Sequence, residues 1–225
     1  MKKCIINFED KDIIEKMREL GYDCIPVIKS DCVSGPISQH SDVLYLKTDN
    51  NEIIVSACQK PNFRYLEESG YHIVVCDILK PGYRTESWLN FIVNNDYIIY
   101  NPETAYKIIV DKNKIVVKQG YTRCSTICVN SRAYITDDEN IFNTLLKNNL
   151  DCLKIEKGDI KLEGYDYGFI GGASVKLNDN EILFFGDLKN KKDKSNVISF
   201  LKKYNVKPIF IENKEMHDIG SVLIL

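Results

Sequence analysis

The chain has 225 residues, with 30 lysines and arginines against 32 aspartates and glutamates, a formal charge of −2 and 44% hydrophobic residues. That balance fits an ordinary globule with a sizeable core and gives no footing to a nucleic acid or an anionic membrane surface. No run of 18 apolar residues exists, so no membrane span is expected, and the apolar stretch behind Lys2 and Lys3 is too short for a signal peptide before Glu9 and Asp10 close it.

The predicted elements follow a repeating order. A helix is expected over 11–20, where Ile13, Ile14, Met17 and Leu20 form a stripe at helical spacing, with Gly21 as its stop. A strand over 24–28 follows, then a loop through Gln39, His40 and Ser41. A hairpin comes next, with strands over 43–46 and 53–56 and a polar turn over 48–51. The second unit has a helix over 63–69, a strand over 72–77, a loop over 79–87 and a hairpin turning at Asn94-Asn95-Asp96. The third is irregular: one helical turn after Pro102, then 108–110 and 115–117 flanking a small inserted hairpin, then Arg123-Cys124-Ser125-Thr126 and a strand near 132–136. The fourth has a helix over 139–148, a strand over 152–156 and a loop reaching Gly171-Gly172-Ala173-Ser174 before a hairpin. The fifth has a helix over 194–204, a strand over 208–212 and the tail His217-Asp218-Ile219-Gly220-Ser221. The chain ends within a strand, so the strand that completes this unit is expected from Cys4-Ile5-Ile6-Asn7.

The repeat is also visible residue by residue. Gly21-Tyr22-Asp23-Cys24 matches Gly70-Tyr71-His72-Ile73, Asn149-Leu150-Asp151-Cys152 and Tyr204-Asn205-Val206. A period near 45 residues, five units in 225, signals a repeat architecture with a site where one loop from each unit converges on a common axis. The expected organisation is one α/β domain over 1–225, with units over 8–56, 57–100, 101–136, 137–186 and 187–225 plus 1–7. Pairing of the terminal strands would close it and leave no open sheet edge.

Five helix-plus-three-strand units resemble the pentein, or guanidine-modifying enzyme, fold: a five-bladed α/β propeller. Arginine deiminase, dimethylarginine hydrolase, agmatine deiminase and glycine amidinotransferase belong to it, as does a non-catalytic ribosome-binding translation factor. The catalytic members carry a His-x-Asp, which His40-Ser41-Asp42 resembles, and a nucleophilic Cys before Ser or Thr, which Cys124-Ser125-Thr126 resembles 84 residues further on. The unit before the His unit supplies another carboxylate, and here that position falls on Asp218. The familiar enzymes place their Cys in the last unit, whereas this chain has no Cys there, so the match requires units permuted around the ring. The Gly171-Gly172-Ala173-Ser174 and Asp218-Ile219-Gly220-Ser221 phrasing is similar to an uncharacterised clostridial-type family of this fold.

The residues give the chemistry a physical basis. Attack on a guanidinium carbon needs a thiolate, and a free thiol near its ordinary pKa of ~8.5 is mostly protonated at neutral pH. Cys124 is the candidate nucleophile, Arg123 a group that would lower its pKa, and His40 the donor to the leaving amine. Asp42 and Asp218 would grip the planar cation in a bidentate manner. Candidate substrate-binding residues are Ser125, Glu86, Asn90, Gly171, Gly172 and His217. Against these stand plainer readings: His40 or Asp42 as caps, Gly171 and Gly172 as close-packing residues, Cys128 as a core thiol, His72 as structural and Trp88 as core rather than a face for a cation.

The eight cysteines are expected to be free thiols, and Cys124 and Cys128 lack a zinc-like partner pair, so no metal and no cofactor are expected. The expected partner is a small cationic guanidino compound, and the expected location the cytoplasm. The alternatives are a non-catalytic binding ring and a redox protein acting through Cys124 and Cys128.

Overall fold

The computed structural model describes residues 2–48, 51–77, 79–106 and 112–225. Its strands are β1 (Lys2–Ile6), β2 (Tyr22–Pro26), β3 (Tyr45–Lys47), β4 (Glu52–Ser56), β5 (His72–Cys76), β6 (Ile92–Val93), β7 (Tyr97–Tyr100) and β8 (Asn113–Val116). They continue as β9 (Thr126–Asn130), β10 (Ala133–Thr136), β11 (Asp151–Lys154), β12 (Ser174–Asn178), β13 (Glu181–Phe184), β14 (Lys207–Phe210) and β15 (Val222–Ile224). The helices are α1 (Lys11–Glu19), α2 (Ser41–Leu44), α3 (Phe63–Glu68), α4 (Tyr83–Glu86), α5 (Glu139–Lys147) and α6 (Lys191–Lys203).

The strands form five three-stranded sheets of one pattern: an antiparallel hairpin, then a strand parallel to its second member. Four are β3-β4-β5, β6-β7-β8, β9-β10-β11 and β12-β13-β14. A parallel neighbour cannot be reached by a tight turn, so a crossover segment must intervene. Helix α3 bridges β4 to β5, α5 bridges β10 to β11, and α6 bridges β13 to β14. Each sheet thus straddles two of the sequence units, taking its hairpin from one and its parallel strand from the next. The fifth sheet joins the two chain ends: β1 runs antiparallel to β15, with Ile5 opposite Leu223, and parallel to β2 across α1.

Local chemistry sets these elements. Asp10, Asp138 and Asn190 each accept a backbone N–H from the first turn of α1, α5 and α6. Helix α6 therefore begins three residues before the predicted 194, at its Asn190 cap. The aligned Gly21, Gly70, Asn149 and Asn205 all have φ between 56° and 85°. They are left-handed helix stops, where glycine and asparagine are favoured. Ile13, Ile14 and Met17 are buried beneath α1, each stabilising by roughly 1.5–3 kcal/mol.

Some expectations are corrected. Val43 and Leu44 lie in the helical turn α2, not in the predicted strand over 43–46, because Ser41 and Asp42 tie that turn to the Gly220 carbonyl. Ile115 belongs to β8, the parallel partner of β7, rather than to an inserted hairpin; the other arm of that hairpin, 108–110, lies outside the described residues. Thr126–Asn130, not read as a strand, forms β9 because its buried and half-buried side chains alternate through a hairpin with β10. His72 is largely exposed and stands 3.6 Å from Glu52 rather than packing inward. Trp88 packs against Tyr106, with ring centroids 6.4 Å apart.

The first strand of every sheet reaches one shared cavity of about 330 Å³: Lys47, Val93, Cys128, Lys176 and Ile224 line it from β3, β6, β9, β12 and β15. Beside it, the segments that precede these strands gather the side chains described next.

Candidate active site

His40 stands immediately before α2. The Ser41 hydroxyl and the Asp42 N–H both donate to the Gly220 carbonyl, at 2.9 and 3.0 Å, binding this turn to the chain's tail. Gly220 has φ +76°, and a Cβ there would lie 2.3 Å from the His40 Cβ, so the approach requires glycine. Asp42 is fully buried. Its Oδ2 accepts from the Cys124 thiol at 2.8 Å, while its Oδ1 has no hydrogen-bond partner.

Cys124 is held from three sides. Asn90 accepts the Arg123 and Cys124 backbone N–H groups at 2.9 and 3.0 Å, and its Nδ2 donates to the Cys124 sulfur at 2.8 Å and the Asp42 carbonyl at 3.0 Å. The N–H groups of Gly171 and Gly172 donate to the Cys124 carbonyl at 2.7 and 3.1 Å. Neither glycine has room for a side chain: a Cβ would lie 2.2 Å from the Arg123 carbonyl oxygen and 2.0 Å from Asp218 Oδ1, respectively. Asp218 accepts the Phe169 N–H at 2.9 Å and the Gly220 N–H at 3.0 Å. His40 Nδ1 lies between the carboxylates, 3.9 Å from Asp42 Oδ1 and 3.8 Å from Asp218 Oδ1. Residues from distant sequence positions therefore converge: His40, Asp42, Asn90, Cys124 and Asp218.

The electrostatics of these side chains favour their neutral forms. Burial pushes the Cys124 thiol well above its ordinary pKa, and the Asp42 and Asp218 carboxylates add to the shift. Burial raises Asp42 and lowers His40. Asp218 is raised by burial to about 6, against the pull of its two backbone hydrogen bonds. Arg123 does not take the expected thiolate-stabilising position. Its Nη1 donates to the Tyr45 carbonyl at 2.8 Å, and the Cys124 pKa moves up rather than down. A cation held near the two carboxylates would offset their part of that rise, leaving the part due to burial.

His40, Cys124 and Asp218 face a cavity of about 230 Å³, walled by Ile37, Val43, Leu162 and the rings of Tyr121, Tyr165, Tyr167 and Phe169, with Asp166 beside them. The aromatic segment 165–169 carries no catalytic motif and was not singled out in the sequence; only its place in the fold brings it to the cavity.

The remaining candidates lie elsewhere. Glu86 is outside the lining, and its carboxylate is occupied by Ser34, the Gly82 N–H and the Tyr121 hydroxyl. It anchors the Tyr121 ring instead. Ser125 is buried with its hydroxyl unpartnered, also outside the lining. His217 Nδ1 sits 2.9 Å from Asp10 Oδ2, again outside the lining. Cys128 faces the larger cavity while Cys124 faces the smaller one, and none of the eight cysteines is joined in a disulfide. Among the described residues, no cluster of three His, Cys, Asp or Glu side chains is arranged to hold a metal, and no helix is long and apolar enough to cross a membrane.

A family model described as a family of unknown function (DUF6873) matches residues 5–223. Comparison with curated proteins gives no significant match. Among solved structures, SxtG, an amidinotransferase of saxitoxin biosynthesis from Microseira wollei, superposes with a TM-score of 0.58 at 10% identity, covering 94% of this chain and 77% of that one. The inosamine-phosphate amidinotransferase StrB1 from Streptomyces griseus gives 0.53 at 10% identity, over 94% and 77% of the two chains. A mutant DDAH from Pseudomonas aeruginosa in complex with citrulline gives 0.58 at 11% identity, over 100% and 99%. At this level of identity the likeness concerns the fold: this chain has the small mixed sheets of the pentein fold that its sequence resembles.

Proposed function

We propose, for a chain that belongs to the family of unknown function DUF6873, that it is a cysteine-dependent hydrolase or transferase acting on a guanidino or amidino compound. The observation that carries this reading is Asp42: a fully buried carboxylate with one oxygen on the Cys124 thiol and the other without a donor. Asp218 lies across His40 from it. A guanidinium brings five N–H donors and the positive charge this arrangement lacks. Of the solved neighbours reported above, two are named as amidinotransferases and one as a DDAH in complex with citrulline, which agrees with the reading.

The proposed steps use the groups described above. A guanidinium bound on Asp218 beside His40, with its charge facing the buried Asp42, offsets the carboxylate charge that helps hold the Cys124 proton in place. Asp42 Oδ2, the hydrogen-bond acceptor of the thiol, takes its proton, the thiolate attacks the guanidinium carbon, and His40 receives that proton from the Asp42 carboxyl once the two draw together from 3.9 Å. A C–N bond then breaks as His40 returns the proton to the departing amine. The resulting S-linked amidino adduct is released from sulfur by water, giving a urea, or by a second amine, giving a new guanidine.

The same reading includes the architecture: five sheets as blades of one closed propeller on a single domain, with β1 against β15 as the closure and the units permuted relative to the familiar enzymes. The shared wall formed by the first strands of all five sheets supports it.

The test is turnover of a panel of guanidino compounds, followed as released amine, with Cys124→Ser and His40→Ala alongside. The reading predicts loss of turnover in both variants with unchanged circular dichroism. Turnover that survives Cys124→Ser contradicts it.

A further inference from the structure

Resting on the active-site reading above, we infer that the substrate is a guanidine whose far end carries a second positive charge, not a carboxylate, and that Tyr165, Asp166 and Tyr167 form the subsite for that charge. The cavity has an inner end and an outer wall of different character. At the inner end stand His40, Cys124 and Asp218, with Asp42 buried behind Cys124 and outside the lining; the sides are apolar and aromatic. The charged side chain in the outer wall is Asp166, which is exposed between Tyr165, itself 47% exposed, and Tyr167.

The charge pattern decides between far ends. Among the described residues, no lysine or arginine lines this cavity. Lys157 lies 5.8 Å from the Tyr167 ring centre and 3.9 Å from Asp138, outside the lining. A substrate carboxylate would enter a largely apolar cavity whose formally charged lining residues are acidic, and gain no counter-charge. An ammonium instead meets an acid flanked in the chain by two tyrosines, whose rings attract a cation even at an exposed site. A neutral alkyl end gains the aromatic wall but not Asp166. The contrast with the larger cavity is direct: that one is lined by Lys47, Arg123 and Lys176 with no acid.

The test uses n-butylguanidine and its ω-amino and ω-carboxylate derivatives as probes of matched length. Each is scored by protection of Cys124 from alkylation and by calorimetric affinity, with Asp166→Asn alongside. The prediction is amine tighter than alkyl, and alkyl tighter than carboxylate. Asp166→Asn should lower the preference of amine over alkyl by about three- to tenfold while leaving butylguanidine affinity unchanged. Asp166 is exposed and its loss does not threaten the fold. Protection by all three probes with no preference for the amine, or tightest binding of the carboxylate, overturns the subsite while leaving the guanidinium site standing. Protection by none of them overturns both.

Discussion

A Cβ on Gly172 would sit 2.0 Å from Asp218 Oδ1, inside any permitted contact. Gly172→Ala must therefore push Asp218 away from Phe169 and Gly220. We expect a loss of about 1–3 kcal/mol in urea denaturation and a much larger proportional loss of activity. Asp218 also gives a pH signature. Its folded pKa of about 6 lies above the ordinary 3.8, so the native state holds its proton longer than the unfolded one. The stability this contributes is full below pH ~4 and is lost as pH rises through ~6, at most about 3 kcal/mol. Asp218→Asn should flatten the stability profile over that window, which denaturant melts from pH 4 to 7 will show. Guanidinium affinity should run the opposite way, strengthening as pH rises through 6 because the cation needs the ionised carboxylate. At this scale the sequence was partly legible. His40, Asp42, Cys124 and Asp218 stand out because titratable side chains sit at fixed offsets within repeats. The jobs of Glu86 and Asn90 do not: one braces Tyr121, the other clamps Cys124, and spacing cannot tell a ligand group from a bracing one.

The helix stops show how much an element owes to single residues. Nothing lies within 4 Å of the Cβ position at Gly21, so its φ of +85° is the whole constraint. Gly21→Val should destabilise by roughly 1–2 kcal/mol through backbone strain alone, whereas Asn149→Gly should be neutral or slightly stabilising. Thermal melts of the two variants test this. These stops, with the apolar stripes and polar caps, are local signals, which is why α1, α5 and the strands after them are readable. The turn α2 is not readable, because what bends Val43 and Leu44 out of a strand is the Gly220 carbonyl nearly 180 residues away, reached by Ser41 at a separation of 179. The aromatic wall over 165–169 is hidden for the same reason.

On the scale of the whole molecule, the two chain ends share one sheet, with the Leu225 N–H donating to the Lys3 carbonyl at 3.0 Å. The number of units and the joining of the termini are visible in the sequence because both follow from the period. A chain with joined ends and new termini in the exposed Asp179-Asn180 turn should fold and keep its activity. Deleting residues 1–6, which strips β15 and β2 of their shared neighbour, should prevent stable folding; gel filtration and circular dichroism distinguish the two outcomes. On the proposed function, the buried Cys124 thiol becomes reactive only if the folded chain delivers a cation to it. The most direct measurement compares labelling by chloroacetamidine and iodoacetamide from pH 5 to 9, mapped by mass spectrometry over the eight cysteines, with Cys124→Ser as control. The account predicts that the cationic probe modifies Cys124 selectively and much faster than the neutral one, which stays slow until high pH. Equal, slow labelling by both probes, or reaction only after unfolding, would contradict it.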